Sequence, residues 1–285
     1  MQSNRALITG GNSGIGKQTA IGLARQGYEV VIACRDDQKA EAACRDIRGA
    51  VPNARITSMR LDLGSLKSIR AFASAFFKQY PTLDLLINNA GVMPMTRETT
   101  SDGFEKNMGT NHLGHFLLTM LLLPSLRAAP QARIVVVGSD AQFKGQLDFS
   151  NLESETGYHW IKAYANSKLA NMSFTLALAR RLVKTNITVA CLHPGMTRTN
   201  IWPRANFSQR LFSKAMGWFA IPDTQAAGHV LQVATAPELQ NVSGKYYDRG
   251  QLKEPATAAA DTTVQEQLWK WSEARTGCAG EYTFA

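Results

Sequence analysis

The sequence predicts an α/β fold, one doubly wound parallel sheet with helices on both faces. Three observations predict it. Apolar runs alternate with amphipathic stretches almost from the first residue, the order that strand–helix–strand units produce. Several runs are apolar at successive positions rather than at alternate ones, most clearly Val135-Val136-Val137, which suits strands covered from both sides. No Gly/Ser linker, low-complexity tract or internal repeat divides the 285 residues, so a single domain over residues 1–285 is expected.

Six buried strands are expected, at residues 5–9, 29–33, 56–61, 83–87, 133–137 and 188–192. The intervening stretches 14–26, 38–48 and 66–79 have helical periodicity, and so does 163–182 further along. Two later segments break the rhythm. Residues 200–221 follow the sixth strand and carry Trp202, Phe207, Phe212, Met216, Trp218 and Phe219. Ligands of such folds bind beyond the carboxyl ends of the strands, so this insertion is expected to be a helical lid over the site. Residues 261–275 read as a terminal helix with Trp269 and Trp271.

Composition narrows the function classes. Hydrophobic content of 45% and charged content of 19% describe a globular chain. The net charge of +9 is spread along the sequence. There is no basic arm or base-reading motif, so nucleic acid is not an expected partner. Cys34, Cys44, Cys191 and Cys278 form no CxxC pair or disulfide framework. His112 and His115 can share a helical face, but no Cys or acidic pair joins them, so no metal site is expected. Residues 1–5 are polar, and the apolar run 116–124 is too short to span a bilayer. A reduced, cytoplasmic compartment is the expectation.

Thr9-Gly10-Gly11-Asn12-Ser13-Gly14-Ile15-Gly16 lies between the first strand and the first helix. Glycines there let the backbone turn sharply and approach a pyrophosphate, which then meets free amides and the positive end of the helix. This is the phosphate turn of a Rossmann-type sheet, with Gly10, Asn12, Ser13, Gly14, Ile15 and Gly16 against the cofactor. The second strand runs into Ala33-Cys34-Arg35-Asp36. An acidic residue at the strand end would hold the ribose hydroxyls of NAD. Here the nearest position is Cys34, followed by Arg35, whose guanidinium can pair with a 2′-phosphate. NADP(H) is therefore the expected cofactor, with Asp36 capping the next helix.

Tyr164 and Lys168 are four apart in a helical pattern and so face the same way. A phenol is a poor acid–base group at neutral pH, and a nearby ammonium is expected to bring its proton into range. Ser139 ends the fifth strand, where a hydroxyl can hydrogen-bond a substrate oxygen as charge develops.

These motifs, in this order, resemble the short-chain dehydrogenase/reductase family over almost the whole chain. The resemblance rests on the Thr9-to-Gly16 turn, Asn88-Asn89-Ala90-Gly91, Ser139 and Tyr164-Ala165-Asn166-Ser167-Lys168. It implies that Tyr164 is the proton donor or acceptor, that Lys168 also binds the nicotinamide ribose, and that Ser139 orients the carbonyl. It further implies that Asn111, in Thr110-Asn111-His112-Leu113-Gly114-His115-Phe116, holds a water of the proton relay. Asp62, with Leu63, matches the adenine contact, and Asn89, Ala90 and Gly91 match the turn that steadies the central strand and cofactor. Pro194, Gly195 and Thr199 match the nicotinamide turn.

Ala33 to Asp36, Asn111 to Phe116, Tyr164 to Asn171, His193 to Thr199 and Ser243-Gly244-Lys245-Tyr246 are most similar to the retinol dehydrogenase-like subgroup. The separation of Ser139 from Tyr164 is also that subgroup's, about a dozen residues beyond the family norm. Members bound to membranes carry an N-terminal anchor, which this chain is expected to lack. Light-dependent protochlorophyllide reductase is similar around 109–116 and 134–139, but has a longer insertion before its tyrosine.

The implied activity is interconversion of a lipophilic aldehyde or ketone and its alcohol, of carbonyl reductase or alcohol dehydrogenase type. A non-catalytic NADP(H)-binding sensor is the competing reading. It has no need of Asn111, Ser139, Tyr164 and Lys168 together. Arg204, Arg210 and Lys214 interleave with the lid aromatics, a pattern that allows shallow contact with an anionic membrane without favouring it. Monomer and homo-oligomer are both left open.

Overall fold

The computed structural model describes residues 4–197 and 220–284. Among these, eight strands form one sheet in the order β3-β2-β1-β4-β5-β6-β7-β8. The strands are β1 Arg5–Thr9, β2 Glu29–Cys34, β3 Ile56–Arg60, β4 Leu85–Asn88, β5 Ala132–Val137, β6 Ile187–His193, β7 Lys245–Asp248 and β8 Gln251–Lys253. The expected six strands are all present, with ends moved by one or two residues.

Strands β1 to β7 pair in parallel, and the order reverses between β1 and β4. That reversal opens the crevice in which such sheets bind ligands. The last two strands were not expected. Lys245–Asp248 has no β-branched residue, and every residue of Gln251–Lys253 is exposed, so neither carries a buried-strand pattern. They pair antiparallel because Arg249 and Gly250, at φ of 51° and 80°, make a two-residue hairpin turn.

Helices α1 Gly14–Arg25, α2 Asp37–Ala50 and α6 Asp223–Thr235 cover one face. Their core includes Ile8, Ile32, Ile87, Val135 and Leu192. Helices α3 Leu66–Gln79, α4 Gly114–Arg127, α5 Trp160–Arg181 and α8 Thr262–Thr276 cover the other. There Leu7, Val31, Leu86, Ile134 and Val136 are buried instead. Successive residues of the central strands thus feed opposite cores, which is why those strands carry unbroken apolar runs. A single turn, α7 Thr257–Ala260, precedes α8.

A wide turn of π-helical type, Met108–Leu113, leads into α4. The run 116–124 belongs to α4, where Phe116, Leu117, Leu118, Met120, Leu122 and Leu123 are core. Among the described residues no helix is long and apolar enough to cross a membrane. The expected lid, with its aromatics and with Arg204, Arg210 and Lys214, lies outside the described residues except for Ala220 and Ile221. Thr199 lies outside them as well.

Candidate active site

The phosphate turn is shaped by close backbone approach. Gly10 has φ +67°, a left-handed value that glycine adopts without strain. A Cβ on Gly16 would stand 2.5 Å from the Gly10 carbonyl oxygen and 2.6 Å from Asn89 Nδ2. Asn12, Ser13, Gly14 and Ile15 line the open edge of this turn and are all at least partly accessible. Ser13 occupies the N-cap position of α1 without capping it through its side chain, and the first turn holds no acidic residue. Free amides at a helix N-terminus with no competing carboxylate suit a pyrophosphate.

Asn89 and Ala90 complete the corner. Their backbone N–H groups donate to Thr9 Oγ1 at 2.9 and 3.0 Å, and Asn89 Nδ2 donates to the Thr9 carbonyl at 2.8 Å. Gly91 follows on the same partly open edge. At the end of β3, Asp62 Oδ1 accepts from the Gly64 amide at 2.9 Å. The Leu63 side chain is in the core, so only its backbone faces the crevice.

At the end of β2, Arg35 is exposed, and its guanidinium pairs with no carboxylate among the described residues. Both neighbouring acids are engaged elsewhere. Asp36 accepts from the Lys39 amide at 3.0 Å, the expected N-cap, and that bond holds its carboxyl below the ordinary range. Asp37 pairs with Arg60 at 3.2 Å. Cys34 is buried, which pushes its thiol up to about 12, so it is inert.

The catalytic candidates meet where β5, α5 and the Met108–Leu113 turn converge. Ser139 follows β5, and its Oγ accepts from the Ala141 amide at 3.1 Å. Lys168 is buried and donates from Nζ to the Val137 carbonyl at 2.9 Å. The ammonium lies 5.5 Å from the centre of the Tyr164 ring. Asn111 Nδ2 donates to Ser167 Oγ and to the Val92 carbonyl, both at 3.0 Å, and its Oδ1 accepts from the Val92 amide at 2.8 Å. One side chain thus ties the π-type turn to α5 and to the segment after Gly91.

The titration of the pair differs from the sequence-based expectation. Burial pushes the Tyr164 phenol up to about 12, and its hydrogen bond with Ser139 offsets only part of this. Burial also pushes Lys168 down to about 8, against the opposing influence of Cys191. Desolvation outweighs the hydrogen bond from Ser139, so at neutral pH the tyrosine keeps its proton.

The turn expected to contact the nicotinamide follows β6. Gly195 has φ +101°, and a Cβ there would sit 2.4 Å from Ile221 Cδ1. The Pro194 carbonyl is hydrogen-bonded by His229 Nδ1 at 2.8 Å, from α6. His229 is a supporting residue that sequence reasoning missed, since nothing in its local pattern points across 35 positions. Thr9 and His115 were missed in the same sense. His112, a rejected metal candidate, is buried with Nε2 2.8 Å from Ser272 Oγ on α8.

The site therefore fits an elongated dinucleotide running from Arg35 past the glycine turn to Pro194 and Gly195. Lys168, with one of its three N–H groups given to Val137, has donors left for a ribose.

The sequence pattern of the short chain dehydrogenase family matches residues 4–209. Human retinol dehydrogenase 13 is 45% identical over 269 residues, covering 92% of this chain and 81% of that protein. Mouse retinol dehydrogenase 14 is 41% identical over 290 residues, covering 97% and 87% respectively. A crystal structure of a protein from Mycobacterium paratuberculosis superposes with a TM-score of 0.77 at 32% identity, over 99% of this chain and 95% of that one. On that match and those identities the chain belongs to the short chain dehydrogenases, oxidoreductases that bind a nicotinamide cofactor, and within them to the retinol dehydrogenase-like branch.

Proposed function

We propose that the chain reduces a lipophilic aldehyde or ketone to its alcohol with NADPH, reversibly, as a single-domain carbonyl reductase. The observation that carries this is the meeting of half-buried Ser139 and Tyr164 with buried Lys168 at the carboxyl end of the sheet. When bound, the cofactor supplies the hydride for the carbonyl carbon. Tyr164 gives its phenolic proton to the carbonyl oxygen as that oxygen becomes an alkoxide. A phenol held near 12 is fully protonated at neutral pH, the form that reduction requires. Ser139 Oγ orients the same oxygen by donating to it, and Lys168 would hold the ribose while its ammonium stabilises the phenolate left behind. Asn111 keeps the relay in register through Ser167 and Val92.

NADP(H) rather than NAD(H) rests on Arg35, exposed at the end of β2 with its acidic neighbours turned to other partners. The relatives named retinol dehydrogenases support an apolar substrate, as do the aromatics between Trp202 and Phe219. The cysteines Cys34, Cys44, Cys191 and Cys278 are free and buried, which supports the cytoplasm as compartment.

The test is NADPH oxidation against aliphatic, aromatic, terpenoid and polyketide carbonyls and retinal. Tyr164→Phe should lower turnover of any accepted substrate by about 10²- to 10⁴-fold while leaving NADPH affinity nearly unchanged. Undiminished turnover in that variant would remove Tyr164 from the mechanism.

A further inference from the structure

The buried histidine His115 is used by none of the steps above, yet it lies between the two halves of the site. We propose that His115 is a positioning residue that locks the Asn111 carbonyl to the cofactor-side corner of Thr9, Asn89 and Ala90. This rests on the relay reading of Asn111, Tyr164 and Lys168.

His115 is on the first turn of α4 and is 2% exposed. Its Nδ1 is 3.0 Å from the Asn111 carbonyl oxygen, and its Nε2 is 2.9 Å from Thr9 Oγ1. A carbonyl only accepts, so Nδ1 carries the proton and Nε2 is left as an acceptor. Thr9 must then donate its hydroxyl proton to His115, which leaves its lone pairs for the Asn89 and Ala90 amides. Every donor in the chain from Asn111 to Ala90 has one acceptor, and the direction of each bond is fixed.

The alternative for the Thr9 hydroxyl is the Ile87 carbonyl at 3.5 Å, a poor substitute. Burial and the nearby Lys168 charge push the imidazole down to about 4. It therefore stays neutral and the tautomer holds across ordinary pH. His112, three residues earlier and equally buried, shows what a histidine that serves packing looks like. It bonds Ser272 on α8 and stacks on Trp271, away from the glycine turn.

The geometry allows the two bonds to be removed separately. In His115→Asn the side-chain amide N–H falls where Nδ1 is, keeping the bond to Asn111 and losing the acceptor for Thr9. In His115→Gln the amide oxygen reaches the Nε2 position, keeping the acceptor and losing the donor to Asn111. Affinity for NADPH, and in parallel for NADH, is measured by tryptophan fluorescence quenching without substrate, and kcat at saturating cofactor.

The expected result is a crossed pattern. His115→Asn weakens cofactor binding about tenfold and keeps kcat within about threefold; His115→Gln lowers kcat about tenfold and keeps affinity within about threefold. Thr9→Val, which removes the hydroxyl at constant shape, should reproduce the His115→Asn pattern even if both histidine variants are too unstable to assay. Parallel losses of kcat and affinity, or a change in Tm alone, would overturn the proposal. Tyr164→Phe, assayed alongside, reports separately on the relay. If it keeps full turnover the relay reading fails, while the binding data still decide the link from His115 to the cofactor corner.

Discussion

Two ends of the same sheet edge are built on opposite principles. At the end of β2 the charged groups stand in water. Arg35 is exposed, and the Asp37–Arg60 and Asp36–Lys39 pairs have side chains between 43% and 73% accessible. Pairs of that kind contribute little to stability, so the region can be rewritten without unfolding the chain. Around α5 and the Met108–Leu113 turn the polar groups are buried instead, Asn111 at 0% and Lys168 at 4%. Each has named partners at 2.8 to 3.0 Å. Under the proposed function, the group that selects the ligand is left for the ligand to satisfy. The groups proposed to move a proton are fixed beforehand, in a low dielectric where misplacement is costly.

The largest expected effect comes from the buried end, and it has two opposite signs. Lys168→Met should lower turnover by about 10²- to 10⁴-fold and yet raise the melting temperature at pH 7 by about 2 to 4 °C. Burial holds the folded pKa of Lys168 near 8, below the 10.5 of an unburied lysine. Between those values the unfolded chain binds the extra proton, so wild-type stability climbs as pH rises from about 8 to about 10.5. The variant's advantage is complete below about pH 8 and shrinks across that window. Thermal melts from pH 6 to 10 on both proteins check it; an advantage that grew with pH would contradict the buried ammonium.

The exposed end should behave differently. Arg35→Ala should raise the Michaelis constant for NADPH by about ten- to a hundredfold, the worth of one charge-assisted phosphate contact. The constant for NADH and the melting temperature should stay nearly unchanged. Equal effects on the two cofactors would mean that Arg35 is only a solvated strand-end charge.

The exposed end was the more legible of the two. Glycine spacing, the Asp36 cap and the cysteine in place of an acid at the end of β2 are local patterns, and local patterns survive in a linear reading. So did Tyr164 and Lys168, because one helical turn brings them together. What escaped was whatever joins distant segments. His115 reaches Thr9 across 106 positions and His229 reaches Pro194 across 35, and no periodicity encodes either. The raised Tyr164 pKa escaped for a related reason, since desolvation is a property of the assembled core. Strands β7 and β8 escaped because they are short and their register comes from β6 and the Arg249–Gly250 turn.

The smallest predicted effect tests how the buried end is kept rigid. The stretch that separates Ser139 from Tyr164 carries Glu153, and the terminal helix α8 carries Arg275. Their side chains are hydrogen-bonded to each other, and Glu153 is buried while Arg275 is 41% accessible. The second Glu153 oxygen accepts from the Glu105 amide at 3.1 Å. Glu105 in turn caps the Asn111-bearing turn, accepting from the Asn107 and Met108 amides at 2.9 and 2.8 Å. The long insertion and the terminal helix thus brace the turn from outside. Arg275→Leu leaves the Glu153 carboxylate without its cation and should cost about 1 to 3 kcal/mol of stability. It should lower kcat only a few-fold, with no change in cofactor affinity. Adding Glu153→Gln removes the stranded charge while keeping an acceptor for the Glu105 amide, so the double variant should recover part of the loss. A double variant less stable than Arg275→Leu would show that the brace works through packing of Arg275 on Phe104 and Trp271 rather than through the ion pair.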